Sequence, residues 1–373
     1  MPGVLEPYSA GSGSRLIVAG GGTGGHLFPG VAVAQAFLAR HARNRVLFVN
    51  AGRPLDVAVI ERLGWPHKAI GIEGIKGRGW WRQAKAVFKI PHAVWQSRHI
   101  IREFDPHVVM GVGGYSAGPV VVAAWTMGIP TVLHEQNRLP GLTNRLVRRI
   151  VDRIYLSFDD PSGRFNAQKR LLTGNPVRDE ILVLGAKGNA RHAPDTFTVL
   201  ILGGSQGAHA INEAMVAALA RLADLPGLRV VHQTGRDDEG AVTKAYDSAG
   251  IAATVRAFFD DMAERYAQAD LIVCRAGATT IAEITVVGRV ALFVPFPLAA
   301  DDHQTSNAQA LVDAGAAEMI RQRELTGALL AEKIASYRRD PAKVKAMAAK
   351  ALTMGRPEAA LSIVRDIYKL LGG

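Results

Sequence analysis

The feature that most constrains the fold is a glycine-rich turn near the start of the chain. The run 20–26 (GGGTGGH) follows the apolar segment 16–19 and precedes the helix-like segment 31–38. Glycine is expected where the backbone needs a positive φ or where another molecule approaches it closely. The order strand, glycine turn, helix predicts a site for an anionic or hydroxyl-rich ligand, because amide donors and partial positive charge gather at a helix N-terminus. His26 lies at the edge of that site.

The same turn matches two nucleotide-binding patterns only in part. Gly20, Gly22 and Gly25 satisfy G-x-G-x-x-G, but a nicotinamide enzyme needs an acidic residue about 20 residues further on for the ribose hydroxyls. The second apolar segment, 46–49, ends instead in Asn50. A P-loop is disfavoured because His26 stands where that motif has lysine. The turn alone therefore supports neither class.

The strand, turn and helix arrangement occurs twice along the chain. Strand-like segments lie at 16–19, 46–49, 68–72, 107–110, 131–133, 153–156, 170–172, 197–202, 229–232, 253–257, 271–274, 290–294 and 318–320. Helix-length segments separate them, which predicts parallel sheets covered by helices. A second glycine turn, 203–208, follows the strand that opens the second half. We therefore expect two facing, doubly wound Rossmann-like α/β domains, with the ligand cleft between them at the carboxyl ends of the strands.

The domain boundaries follow from composition and length. The chain has 373 residues, which is long for one core. Residues 1–14 are rich in Gly, Ser and Pro and are expected to be a disordered leader. Residues 15–177 are expected to form the N-terminal domain and 178–355 the C-terminal domain. An amphipathic helix within 356–373 is expected to pack back on the N-terminal domain.

The charge balance favours acidic partners. Lys and Arg number 44 against 33 acidic residues, for a formal net charge of +11. Nucleic acid, anionic lipid and phosphorylated substrates all fit that charge, but no nucleic-acid-binding motif accompanies it. The longest apolar tract, 119–133, is interrupted and too short to cross a bilayer. The single cysteine, Cys274, forms no internal disulfide, which is typical of a reducing cytoplasm.

Seven short motifs are specific in combination. They are 21–26 (GGTGGH), 111–119 (GVGGYSAGP), 134–137 (HEQN), 174–178 (GNPVR), 203–208 (GGSQGA), 275–283 (RAGATTIAE) and 302–308 (DHQTSNA). In this order and spacing the chain closely resembles the MurG family of bacterial N-acetylglucosaminyltransferases, from about Arg15 to its end. The resemblance implies the glycosyltransferase B fold. It also implies inverting transfer of N-acetylglucosamine from UDP-N-acetylglucosamine to the C4 hydroxyl of undecaprenyl-diphospho-muramoyl-pentapeptide, the step from lipid I to lipid II in peptidoglycan synthesis.

The leaving group of that reaction is a diphosphate, so the site must stabilise negative charge. The sequence contains no Asp-x-Asp pair, which argues for amide donors, helix N-termini and arginine rather than a metal ion. We expect no metal and no cofactor. Arg178 and Ser205 fit diphosphate binding, and Ser205 also fits a helix N-cap.

Donor binding is expected at residues from both halves of the chain. Glu283 is suited to accept hydrogen bonds from both ribose hydroxyls, although a glutamate near a helix start also suits the helix dipole. By resemblance, Phe259 flanks the uracil, Gln304 and Asn137 bind the sugar, and the role of His303 stays open. The resemblance assigns the UDP-sugar to Thr23, Gly24, Gly25, Asn137, Arg178, Ser205, Phe259, Ala278, Thr279, Thr280, Glu283 and Gln304.

An inverting transfer also needs a base for the attacking hydroxyl. His26 is the first candidate, because a histidine with a pKa near 6.5 suits proton transfer at neutral pH. Glu135 is the alternative base, and a relay between the two stays open. Gly113, Gly114 and Tyr115 are expected to hold the acceptor diphosphate.

A lipid-linked acceptor requires a docking surface on the protein. Aromatic, apolar and basic residues are expected to meet anionic lipid, and Pro91 is expected to interrupt any single helix there. The predicted membrane patch comprises Trp81, Lys85, Phe88, Lys89, Val94, Trp95 and Trp125. The alternative is that half of the aromatics face the core.

The expected location is peripheral, at the cytoplasmic face of the cell (inner) membrane. We expect no nucleic-acid partner, and binding of other cell-wall or division proteins stays open.

Two features bear on the competing interpretations. Another glycosyltransferase of the same fold would keep Glu283 and the glycine turns but need not keep Tyr115 or the run 134–137. The loop after the second strand departs from the family, because Asn50-Ala51 and Asp56 replace the usual Gly-Thr and a later Glu. We assign that loop no role from sequence.

Overall fold

The computed structural model describes residues 13–72, 80–160, 163–187, 195–204 and 207–372, without the side chains of 80–88, 187 and 300. The chain forms two compact units, one of Met1–Arg178 with Glu358–Gly373 and the other of Asp179–Pro357. Some predicted features lie outside the described residues. They are the leader up to residue 12, Ser205, and the side chains of Trp81, Lys85 and Phe88.

The first unit contains a seven-stranded parallel sheet in the order β3-β2-β1-β4-β5-β6-β7. Its strands are β1 (Arg15–Ala19), β2 (Arg45–Asn50), β3 (His67–Ala69), β4 (Val108–Gly111), β5 (Thr131–Glu135), β6 (Arg153–Leu156) and β7 (Arg170–Leu172). The helices between them are α1 (Gly24–Arg40), α2 (Pro54–Arg62), α3 (Trp80–Phe104), α4 (Ala117–Thr126) and α5 (Leu142–Val147). Because β1 lies between β2 and β4, the loops that follow these three strands meet at one edge of the sheet.

The second unit contains a six-stranded parallel sheet in the order β10-β9-β8-β11-β12-β13. Its strands are β8 (Phe197–Leu202), β9 (Leu228–Gln233), β10 (Ala253–Arg256), β11 (Leu271–Cys274), β12 (Val290–Phe293) and β13 (Ala317–Met319). Its helices are α6 (Asp179–Lys187), α7 (His209–Leu222), α8 (Glu239–Ala249), α9 (Met262–Gln268), α10 (Ala278–Val287), α11 (His303–Asp313), α12 (Gly327–Arg339) and α13 (Pro341–Met354). The loops after β8 and β11 are neighbours at the carboxyl edge, as in the first unit.

The predicted fold class of two doubly wound α/β domains is confirmed by these sheets. All thirteen strand-like segments form strands, with ends shifted by a few residues. The expected interruption at Pro91 is wrong, because α3 continues through it. Proline removes one intrahelical hydrogen bond, and Pro91 lies on an exposed side of the helix, where water can satisfy the carbonyl that loses its donor.

The core of the first unit lies on both faces of its sheet. Successive strand residues point to opposite faces, so Leu16 and Val18 join a cluster with α1, while Ile17 and Ala19 join a cluster with α3 and α4. Strands that are buried on both faces have continuous apolar sequences. That is why the sequence pattern located them well.

The last helix, α14 (Ala359–Leu370), belongs to the first unit. Ile363, Val364 and Ile367 are fully buried in the same cluster as α1. The Tyr368 ring stacks on Phe37 with centroids 5.7 Å apart. The Tyr155 hydroxyl donates to the Asp366 carboxylate at 3.0 Å, which fixes the helix against β6. The end of the chain thus completes the core of the first unit.

We expect Ile367→Ala to lower the free energy of unfolding of the first unit by about 2–5 kcal/mol, because it leaves a cavity in a closed core. Urea denaturation followed by tryptophan fluorescence measures this, since all five tryptophans precede residue 126. Lys369→Ala on the exposed side of α14 is the control. Equal stability of the two variants would contradict the packing described.

Candidate functional site

The glycine turns after β1 and β4 interlock through their backbones. The N–H of Gly21 donates to the carbonyl oxygen of Gly113 at 3.4 Å. A Cβ on Gly20 would lie 2.3 Å from that oxygen, and one on Gly114 would lie 2.4 Å from the oxygen of Gly21. All four residues have positive φ. Only glycine fits this contact, and it places the two turns, predicted for donor and acceptor, against each other.

His26 lies in the first turn of α1, beside Gly113. A Cβ on Gly113 would come within 2.9 Å of the His26 Nδ1 atom. Nδ1 is 3.1 Å from the Oε1 atom of Gln136. An amide oxygen only accepts hydrogen bonds, so Nδ1 carries the proton. In the neutral ring Nε2 is therefore the nitrogen with the lone pair, as a base requires.

The amide of Gln136 is held in one orientation. Its Nε2 donates to the carbonyl oxygen of Val112 at 2.8 Å and to the Nδ1 atom of His134 at 3.0 Å. His134 Nε2 then faces the carbonyl oxygen of Gly174 at 3.3 Å. Burial lowers the pKa of His134 to about 4, so this ring is neutral at pH 7. A chain of oriented hydrogen bonds thus runs from Gly174 to His26.

Gln136 was not singled out from the sequence, although the strand period could have indicated it. Residues two apart along a strand point to the same side. His134 and Gln136, just beyond the end of β5, contact each other, whereas the side chain of Glu135 contacts a different loop. If the alternation of side-chain directions is extended past the end of β5, His134 and Gln136 fall on one side and Glu135 on the other.

Glu135 is buried and holds the loop that leads to α5. Its Oε1 atom accepts the N–H of Asn137 at 3.0 Å. Its Oε2 atom accepts the N–H of Gly141 at 3.0 Å and the side-chain amide of Asn144 at 2.9 Å. Burial raises the pKa of Glu135, and these donors oppose that shift. The carboxylate thus fixes Asn137, one of the predicted sugar-binding residues.

The remaining predicted residues of the first unit surround the same edge of the sheet. Thr23 is the N-cap of α1, and its carbonyl oxygen accepts the N–H of His26 at 3.1 Å. Gly24 and Gly25 form the first residues of that helix. The guanidinium of Arg178 lies 5.3 Å from the ring centroid of Phe28, a cation–π contact that connects it to α1. Tyr115 is half-buried in the turn after β4.

In the second unit the predicted nucleotide residues gather at the N-terminus of α10. Ala278, Thr279 and Thr280 form its first turn after the N-cap Gly277. Helix N-termini favour phosphate. Glu283 is 5% exposed, and its Oε2 atom accepts the hydroxyl of Tyr266 at 3.0 Å. Tyr266 was missed from sequence and orients this carboxylate.

Two other predicted donor residues have structural partners in the same unit. Phe259 is buried under the guanidinium of Arg265, 4.8 Å from its ring centroid. Its N–H donates to the side chain of Gln233 at 3.1 Å. The Oε1 atom of Gln304 accepts the N–H of Phe296 at 3.0 Å, so its amide nitrogen is the group suited to donate to a sugar.

The predicted membrane patch is described in part, on α3 and α4. Trp95 is 65% exposed and Trp125 50% exposed, so neither faces the core. Lys89 is exposed as well. Val94, by contrast, packs against the core cluster of the first unit. Among the described residues, no helix is both long and apolar enough to cross a bilayer.

Comparisons with known proteins cover both units. Residues 16–156 match the glycosyltransferase family 28 N-terminal domain, and residues 198–363 match the family 28 C-terminal domain. The chain is 50% identical, over 96% of its length and 99% of the relative's, to the UDP-N-acetylglucosamine–N-acetylmuramyl-(pentapeptide) pyrophosphoryl-undecaprenol N-acetylglucosamine transferase of Syntrophus aciditrophicus. It is 47% identical to the Myxococcus xanthus transferase of that name, over 93% of this chain and 90% of the relative. The crystal structure of Acinetobacter baumannii MurG superposes with a TM-score of 0.77 at 32% identity, covering 95% of this chain and 99% of that one.

The neutral state of His134 gives a prediction for stability against pH. Its pKa is about 4 in the folded chain and near 6.5 unfolded, so between these values only the unfolded state gains a proton. Stability is therefore lost as the pH falls, by about 2 kcal/mol between pH 7 and pH 5. We expect His134→Gln to remove this part of the pH dependence in urea denaturation. Val132→Ala, a buried neighbour on β5 that does not titrate, should keep it; equal slopes for both variants would contradict the assignment.

Proposed function

The chain belongs to the MurG family of glycosyltransferase family 28, and we propose that its transfer reaction uses His26 as the general base. The chain transfers N-acetylglucosamine from UDP-N-acetylglucosamine to undecaprenyl-diphospho-N-acetylmuramoyl-pentapeptide. In our proposal the acceptor is the C4 hydroxyl and the anomeric carbon is inverted. This converts lipid I to lipid II in peptidoglycan synthesis.

The observation that carries the proposal is the hydrogen-bond chain that ends at His26. Because Gln136 Oε1 accepts from Nδ1, the lone pair lies on Nε2. In the proposed step Nε2 takes the proton of the C4 hydroxyl as its oxygen forms a bond to the anomeric carbon of the donor. The bond from that carbon to UDP breaks on the opposite face, and UDP leaves as the anion. General-base assistance of this kind contributes about 100-fold to 10,000-fold to a rate.

We propose that Glu135 takes no part in the proton transfer and has a positioning role. Both of its oxygens accept hydrogen bonds from the loop between β5 and α5, so its role is to position Asn137 for the donor sugar. Gly113, Gly114 and Tyr115 bind the acceptor diphosphate in this proposal. Two of them are glycines with positive φ, a conformation that glycine adopts without steric cost.

The donor is proposed to bind through the remaining predicted residues. Ala278, Thr279 and Thr280 provide the amide donors of a helix N-terminus for the nucleotide. Glu283 binds the ribose hydroxyls, supported by the bond from Tyr266. Further contacts in the proposal come from Thr23, Gly24, Gly25, Asn137, Arg178, Ser205, Phe259 and Gln304. With amides and a guanidinium to stabilise the leaving diphosphate, the step needs no metal ion.

The test is transfer of labelled N-acetylglucosamine from its UDP donor to a short-chain prenyl-diphospho-muramoyl-pentapeptide, with and without EDTA. We expect EDTA-resistant transfer by the wild type. His26→Ala should lower kcat about 100-fold or more, because the acceptor proton loses its base. UDP affinity should be unchanged. His99→Ala, at an exposed position on α3, is the control; a His26→Ala variant with normal kcat would contradict the assignment of the base.

We further propose that the protein acts at the cytoplasmic face of the cell membrane, bound peripherally. Trp95 on α3 and Trp125 on α4 are exposed, and the guanidinium of Arg98 donates to the hydroxyl of Thr126 at 2.7 Å, which connects the two helices. Aromatic side chains with neighbouring cations suit an interface with anionic lipid. The net charge of +11 favours the same surface.

We expect the double variant Lys85→Glu and Lys89→Glu to lower binding to vesicles that contain anionic lipid by tenfold or more, since each basic residue near such a surface contributes about 1 kcal/mol. Cosedimentation at two salt concentrations measures this. Lys345→Glu with Arg356→Glu changes the charge equally at exposed positions of the second unit. A similar loss in both double variants would point to net charge alone rather than to this patch.

A further inference from the structure

The loop between β2 and α2 contacts the first glycine turn. Asn50, the last residue of β2, and Asp56, in the first turn of α2, flank this loop and depart from the family pattern. The side-chain oxygen of Asn50 accepts the N–H of Gly52 at 2.8 Å, and Gly52 has a φ of +68°. The chain then turns into α2, whose N-cap is Arg53. The local geometry thus brings the start of α2 back to the edge of the sheet.

Arg53 and Asp56 together bind both polar backbone atoms of one residue. The Asp56 Oδ2 atom accepts the N–H of Gly22 at 2.7 Å. The Arg53 guanidinium donates to the carbonyl oxygen of Gly22 at 2.8 Å. Gly22 has a φ of +92°, which lies outside the range of a β-strand. Pairing with a neighbouring strand therefore does not fix the peptide groups on either side of Gly22. We call this pair of bonds the Gly22 clamp.

The carboxylate of Asp56 lies directly against the turn. Asp56 is 0% exposed, and a Cβ on Gly21 would lie 2.7 Å from its Oδ2 atom. Its Oδ1 atom has no hydrogen-bond partner within the described part of the chain. Burial raises the pKa of Asp56, while the Gly22 N–H and the Arg53 charge oppose that shift. Burial of a carboxylate disfavours folding unless hydrogen-bond donors compensate for it, and here the N–H of Gly22 is such a donor.

The consequence of the clamp appears one residue further along the chain. The carbonyl oxygen of Thr23 accepts the N–H groups of His26 and Leu27, which begins α1. The orientation of the Gly22 peptide therefore sets where that carbonyl points and where the His26 ring starts. The other side of His26 is fixed by Gln136. The α2 segment thus acts on the start of α1 through the backbone, and Gln136 acts on the His26 ring through its side chain.

We propose that Asp56 and Arg53 are positioning residues for the transfer reaction, acting on His26 through the backbone of Gly22. This inference rests on the proposed role of His26. It assigns no contact with substrate to either residue. It gives a function to the one loop whose sequence departs from the family.

The test compares Asp56→Asn, Asp56→Ala and Arg53→Gln with Glu61→Gln. Glu61 is an exposed carboxylate on the same helix, so its variant removes the same negative charge as the Asp56 variants. We expect kcat to fall about tenfold or more in Asp56→Ala, where the part-buried N–H of Gly22 loses its charged acceptor. Asp56→Asn keeps an acceptor oxygen and should lose less. Arg53→Gln, at an exposed position, should fold normally and lower kcat several-fold.

Two further measurements separate positioning from general stability. Hydrogen exchange followed by mass spectrometry should quicken in residues 20–27 of the Asp56 and Arg53 variants and stay unchanged elsewhere in the first unit. Affinity for UDP, which lacks the sugar, should remain within about twofold of the wild type, because the residues proposed for the uridine lie in the second unit; the KM for the UDP-sugar is expected to rise through Thr23, Gly24 and Gly25. Unchanged kcat in Asp56→Ala, or parallel loss of kcat, UDP binding and melting temperature in Arg53→Gln, would overturn the inference.

The result is distinguishable from failure of the proposed role of His26. If His26→Ala retains normal kcat, that role fails. Faster exchange in residues 20–27 of Arg53→Gln would still establish the clamp as a structural device, but its proposed effect on the reaction would be overturned. If His26→Ala loses activity while Arg53→Gln and Asp56→Ala retain it, the base stands and the positioning role fails.

Discussion

The site in the first unit depends on one contact, the hydrogen bond between the backbones of two glycine turns. It exists because β1 and β4 are neighbours in a parallel sheet, so the turns that follow them emerge side by side. With no Cβ atoms between them, Gly21 and Gly113 come close enough for the N–H of one to reach the oxygen of the other. The His26 ring then lies beside Gly113, within reach of Gln136. A side chain at either turn would separate His26 from Gln136, the group that orients its ring.

The sequence predicted the sheets and the turns because their physical causes are local. Buried parallel strands need continuous apolar runs, and positive φ needs glycine. The partners of the site residues are not local. Gln136, Tyr266 and Asp56 act through residues 17 to 110 positions away, and such pairs depend on strand order, which no short pattern contains. Pro91 failed as a predictor for a related reason: its effect on a helix depends on whether the carbonyl that loses its donor faces water.

The predicted site residues of the two units contact different kinds of polar group. In the first unit, a side-chain amide orients the His26 imidazole and is itself oriented by a neutral histidine. A cation there would lower the basicity of His26, and a carboxylate would hold its proton more tightly. In the second unit, the nucleotide is assigned to a helix N-terminus and a buried carboxylate. In the proposed reaction, proton transfer and binding of the nucleotide thus involve different kinds of polar group.

The return of α14 to the first unit has a consequence for how the protein is made. The ribosome releases residues up to 178 long before α14, because the whole second unit, Asp179–Pro357, lies between them. At typical synthesis rates that interval is on the order of 10 s or more. During it, the α1 side of the first sheet presents the apolar surface that Ile363, Val364 and Ile367 later cover. The unit that is translated first is therefore completed last. Until α14 is made, the apolar surface on the α1 side of its sheet is exposed to chaperones.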